Sequence, residues 1–170
     1  GGADLLLGCD SLVAASELAL AAIDRKRTRV VVNTHQAITG QFTRDPNLLF
    51  PKTSIEQRLQ ATSGAHLIDF VDATKLANSL LGDAILSNMF MLGFAYQKGA
   101  VPLSASSIEQ AIGMNGVAVE ANISAFSWGR RAAIDLAAVA SVIEPRQDAD
   151  SSVPTLDALI ERHIDDLTTY

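Results

Sequence analysis

The sequence predicts an α/β fold: three layers with a mostly parallel sheet, and a carboxyl-terminal half that is helical. Three observations carry this. Short apolar runs, ADLLLG, TRVVVN and HLIDFVD, alternate with helical patterns over the first 80 residues. From residue 84 to 143 the patterns are mainly helical. The 170 residues are 48% hydrophobic and 19% charged, enough apolar side chain for one domain with a real core and too much for a disordered chain. Three strands make a thin sheet, so one or more further strands before residue 1 are expected.

ADLLLG is a continuous apolar run too short for a helix, hence a buried strand. Asp10 or Ser11 can cap a helix over LVAASELALAAI, where Leu12, Ala15, Leu18, Ala19 and Ala22 share a face. TRVVVN is rich in β-branched residues and reads as the second strand, parallel to the first through a right-handed crossover. The passage THQAITGQFTRDPNLLFPKT, broken by Gly40, Pro46 and Pro51, has no periodicity and reads as a contact loop or a surface loop. Ser54 and Gln57 form a capping-box pattern for SIEQRLQATSG, with Gly64 as its stop. HLIDFVD is the third strand, and Asp72 or Thr74 caps the helix after it.

Between Ala84 and Tyr96 the only polar residues are Ser87 and Asn88. As a helix this stretch spans about 20 Å, short of the roughly 30 Å a bilayer core demands. It reads instead as a central helix covered on both sides, with Asn88 buried and hydrogen-bonded, so that Asn88→Leu destabilises. Ser104 or Ser106 starts the next helix, and Val119, Ile123 and Phe126 share one face of the helix after that. Residues 1–143 are expected to form the domain and 144–154, polar and containing two prolines, a linker. Residues 155–170 form a last helix, striped by Leu156, Leu159, Ile160, Ile164 and Leu167 and leading to a following domain.

The net charge of −6 argues against nucleic-acid or anionic-membrane partners. The local run RKRTR, Arg25 to Arg29, is a solvated turn or a phosphate-binding patch. Cys9 is the only cysteine, which excludes an internal disulfide and a CxxC-type metal or cluster site, and fits a cytoplasmic location. No secretory signal pattern opens the chain, and the absent initiator methionine suggests a fragment or a processed piece.

Ligands of open parallel sheets lie beyond the carboxyl ends of the strands. Those ends are Gly8-Cys9-Asp10, Asn33-Thr34-His35 and Asp72-Ala73-Thr74, so Cys9, Asp10, Asn33, Thr34, Asp72 and the central Asn88 are the candidate cleft residues. Helix capping accounts for much of the same polar chemistry. Gly82-Asp83-Ala84 with Asn115 lacks the second glycine and the paired asparagines of a magnesium–thiamine diphosphate motif. His35, His66 and His163 have no metal-ligand spacing, and Cys9 with His35 as nucleophile and base rests on presence alone. No residue is assigned as catalytic and none as a metal ligand.

One set of blocks resembles a known family. GDAILSNMFMLGFAYQKGAVPLS, then IEQAIGMNGVAVEANISAFSWGRRAA, is similar to the gamma domain of 2-oxoacid:ferredoxin oxidoreductases. The resemblance lies in Asn88, Met91-Leu92-Gly93, the turn from Gly99 to Ser104, Glu109 to Ile112, and Val119, Asn122, Ala125-Phe126 and Gly129. ADLLLGCDSLVAAS and VVVNTHQAITGQFTRDPNLLFP resemble the indolepyruvate branch, in its long fused bacterial form, and the tail PTLDALIERHIDDLTTY resembles the segment following this domain there.

The resemblance implies oxidative decarboxylation of arylpyruvates to acyl-CoA in the complete enzyme, with electrons passed to ferredoxin or a similar acceptor. Thiamine diphosphate, magnesium and 4Fe-4S iron–sulfur clusters carry that chemistry in other domains of the family, so this chain is expected to bind none of them. The implied partners are the other domains or subunits of the same oxidoreductase, with CoA as a candidate contact. The family's opening glycine-rich G-x-G-G-x-G strand–turn–helix is missing, which implies an amino-terminal truncation. The alternative is a stand-alone nucleotide- or CoA-binding α/β module.

Overall fold

A computed structural model describes residues 2–36, 52–64 and 66–143, and in it the three apolar runs become three parallel strands. They are β1 (Leu5–Gly8), β2 (Arg29–Asn33) and β3 (Ile68–Val71), adjacent in the order β1-β2-β3. Leu6 is opposite Val30, and Val31 is opposite Asp69. The central strand shows why RVVVN is an unbroken apolar run: both of its faces are covered. Val30 and Val32 pack with Ala14, Ile55 and Leu59 on one side, whereas Val31 packs with Leu76, Phe90, Phe94 and Val139 on the other. The predicted three layers follow from that alternation.

On the first face lie α1 (Ser11–Ala14), α2 (Glu17–Ala21) and α3 (Lys52–Thr62). The single helix expected after β1 is in fact broken in two. Asp10 caps α1 by accepting from the N–H groups of Leu12 and Val13. Ser16 then takes an extended conformation and caps α2 through the Ala19 N–H, the local competition that makes serine a poor interior helix residue. The expected shared face fails with the break: Leu18 is 87% exposed. A second correction concerns α3, which already runs from Lys52, so Ser54 lies inside it rather than capping it.

The other face carries α4 (Ala73–Leu81), a 3-10 turn at Ala84–Leu86, α5 (Ser87–Gln97), α6 (Ala105–Asn115), α7 (Val119–Ile134) and α8 (Leu136–Ile143). Asp72 caps α4, and Ser104 caps α6 by accepting from the Ser107 N–H. Gly82 and Gly116, both with positive φ, end α4 and α6.

α5 is the spine the sequence suggested, with Phe90, Met91, Gly93, Phe94 and Ala95 buried, but its amino-terminal end is not covered. Ala84, Ile85 and Asn88 are exposed. The expectation of a buried Asn88 is therefore wrong: the residue is exposed, its side chain makes no hydrogen bond to another described residue, and one side of the first turn is open. No helix among the described residues is long and apolar enough to cross a membrane.

α5 and α7 cross at backbone contact. A Cβ on Gly93 would fall under 3.0 Å from the Phe126 backbone, and one on Gly129 would do the same at the Phe90 carbonyl. The two contacts are reciprocal and run antiparallel. The tilted Tyr96 and Phe126 rings, 5.5 Å apart, and Arg130 over both of them close one side of the junction.

The proposed linker at 144–154 and the helix at 155–170 lie outside the described residues, as does 37–51 of the long loop.

Candidate functional site

The carboxyl ends of the strands do converge, and Asn33 holds them together. It is buried at the end of β2. Its Nδ2 donates to the Cys9 carbonyl at 3.2 Å and to Thr74 Oγ1 at 2.8 Å. Its Oδ1 accepts from the His35 N–H at 3.2 Å and from the buried Ala73 N–H at 3.1 Å. One amide thus ties the loop after β1, the exit of β2 and the first turn of α4. Both donors and both acceptor positions of the side chain are in use.

The other predicted cleft residues surround this clamp without completing a reactive set. Asp10 is exposed and spends Oδ1 on the α1 cap. Asp72 Oδ1 accepts from the Lys75 N–H and stands 3.6 Å from His35 Nδ1. Thr34 continues the ladder through its N–H to the Val71 carbonyl. Cys9 is exposed as a residue, yet burial of its thiol raises the pKa above the ordinary thiol value, which disfavours the thiolate. No hydrogen bond joins the thiol to His35, so the sequence pairing of nucleophile and base is not built. Asn88, on α5, has no hydrogen bond to the clamp.

Beside the clamp, Ser11, Thr34, Lys52 and Glu56 border a depression with room for about one water. Sequence reasoning missed Ser11 here because it reads locally as a helix cap, and Lys52 because it falls at the end of the aperiodic passage.

The opposite end of the sheet gathers charge. Arg29 and Lys98 both reach Asp69 at 3.0 Å, and Arg27 reaches Asp4 at 3.1 Å. Arg27 also donates to the Gly2 carbonyl, and Lys98 lies over the Phe94 ring. The basic run is therefore a turn in which Arg27 and Arg29 pair with acids while Arg25 is exposed, stabilised where Thr28 Oγ1 accepts from the Asp24 N–H and donates to the Ala3 carbonyl. Lys98 lies about seventy positions from Arg29, which is why the run alone did not show its partners.

No group of three or more His, Cys, Asp or Glu residues suited to a metal ion occurs among the described residues. An iron–sulfur cluster needs cysteine thiolates, and Cys9 is the only one in the chain. A magnesium–diphosphate site needs grouped hard oxygen ligands, and the acids at the strand ends are dispersed as caps. The described residues fit neither group.

Residues 1–132 match the family model described as pyruvate ferredoxin/flavodoxin oxidoreductase. No curated protein and no solved structure matches the chain.

Proposed function

From the premise that the chain belongs to the pyruvate ferredoxin/flavodoxin oxidoreductase family, as a gamma domain of the 2-oxoacid type, we propose that it serves an indolepyruvate (arylpyruvate) ferredoxin oxidoreductase. Its role is to shape the assembly and the route to the substrate, while thiamine diphosphate and the iron–sulfur clusters are held elsewhere in the complete enzyme. The observation that carries this role is the Asn33 clamp. Its polar groups are saturated by backbone and by Thr74, so the sheet end fixes loop positions instead of presenting a reacting group.

The aryl branch rests on the likeness of ADLLLGCDSLVAAS and the VVVNTHQ passage to that branch. Partner domains or subunits, ferredoxin or a similar acceptor, and CoA as a contact of the assembly belong to the same proposal.

The test combines the chain with the rest of its enzyme and compares indolepyruvate, phenylpyruvate and pyruvate, with CoA and an electron acceptor. The expected result is turnover only in the assembled enzyme, with the aryl substrates preferred. Turnover by the chain alone would remove the non-catalytic role, and a preference for pyruvate would remove the branch. Thermal-shift titration with CoA and adenine nucleotides tests the stand-alone binding module. Ligand at a hundred times its Kd stabilises by about 2.7 kcal/mol, and a flat response counts against the module.

A further inference from the structure

α5 and α6 leave a groove between them that the fold does not fill. Met89 and Leu92 of α5 face Ile108 and Ile112 of α6 across it, with Leu103 and Ala111 at its margins. Its volume is about 450 Å³, its polar lining is uncharged, and Asn115 and Asn122 are among the polar groups. Leu103 is 59% exposed, and Met114 at 84% and Val117 at 65% follow at the end of α6. Apolar surface concentrated in this way, around a groove with a polar margin, marks a contact site.

We propose that the groove is the docking site for the chain's own carboxyl-terminal segment, residues 155–170, which lies outside the described residues. Wound as a helix, that sequence would place Leu156, Leu159, Ile160, Ile164 and Leu167 on one stripe, and Glu161, Arg162 and Asp165 on the opposite side. An apolar stripe of this kind requires a surface to cover it. As a helix, Leu156 to Leu167 measures about 18 Å, against about 16 Å for α6. The connecting residues 144–154 can extend up to about 40 Å, and a domain of this size has a radius of gyration of about 14 Å, so the groove is within reach of Ile143. The polar groups agree as well. His163 is the one polar residue within the stripe, and Asn122, whose Nδ2 donates to the Val117 carbonyl, has an Oδ1 that accepts from no other described residue. The inference does not depend on the substrate or on the branch of the family.

Hydrogen exchange on the full 170-residue chain tests it, read with Ala111→Glu and, from the other margin, Leu103→Glu. Both positions are exposed, so the core amides of α5 and α7 report that each variant is folded. In the wild-type chain, amides of residues 159–167 are expected to exchange about ten-fold or more slower than unstructured peptide, independently of protein concentration. Either charge in the groove should abolish that protection. Tail amides that exchange freely in the wild type would overturn the proposal. So would protection indifferent to both variants, or protection that grows with concentration, the mark of a second copy on the groove.

Discussion

The strand-end clamp and the α5–α7 crossing are both places where distant parts of the chain are brought together, by opposite means. At the clamp one polar side chain fills the gap between three loops, and its hydrogen bonds supply the specificity. At the crossing two side chains are absent, and the gap closes until backbone meets backbone. The clamp holds the residue types that usually suggest chemistry, and they are consumed in structure. The crossing holds residues with no chemistry, Gly93 and Gly129, yet both fall in the blocks that resemble the gamma domain. Family likeness in this chain therefore reports packing at least as much as it reports a site.

The contrast breaks most sharply at the crossing. Gly129→Ala, or Gly93→Ala, should lower stability by about 3 kcal/mol, the upper end for overpacking, because the obstructing atoms are helix carbonyls that cannot rotate away. Alanine's better helix propensity, worth about 1 kcal/mol, does not offset this. Urea unfolding would measure it, and the double variant should cost less than the sum, since the first substitution already parts the helices. A neutral Gly129→Ala would mean that the helices do not touch.

Asn33→Ala should cost about 2 kcal/mol by leaving the buried Ala73 N–H without a partner. Asn33→Asp keeps the acceptor but loses both donations, so its unfolding midpoint should fall between those of alanine and wild type.

Asn88→Leu should change stability by no more than about 0.5 kcal/mol, because the amide is in solvent. A loss above 2 kcal/mol would restore the buried amide that the sequence suggested.

The smallest effect concerns Cys9. With its pKa raised by burial, less of the thiol is ionised at neutral pH, so alkylation by iodoacetamide should be slower than for a free thiol. The rate should keep climbing as pH rises past the ordinary thiol range. Cys9→Ser should leave unfolding unchanged.

What the sequence disclosed, and what it withheld, follows the range of the forces involved. TRVVVN announced its strand because burial on both faces makes Val30, Val31 and Val32 an unbroken apolar run. Asp10, Asp72 and Ser104 announced their helices because a cap acts within three residues. Ser16 defeated the same logic, since a cap and an interior serine look alike when apolar residues continue on both sides. The strand ends were found from topology, but that Asn33 alone joins all three is a tertiary fact, with partners 24 and 41 positions away. Asn88 was misplaced because an almost wholly apolar helix gives no amphipathic signal to say which side is covered. The crossing did leave a trace, the repeated pattern Phe90-x-x-Gly93 and Phe126-x-x-Gly129, each phenylalanine lending its carbonyl to the other pair's glycine.

That reciprocity has a mechanical side. A single close contact between two rods is a pivot, about which they can swing. Here two contacts lie one helical turn apart and related by an approximate two-fold, as two pegs in two holes. Sliding and swinging are blocked together, so α5 and α7 must move as a single beam.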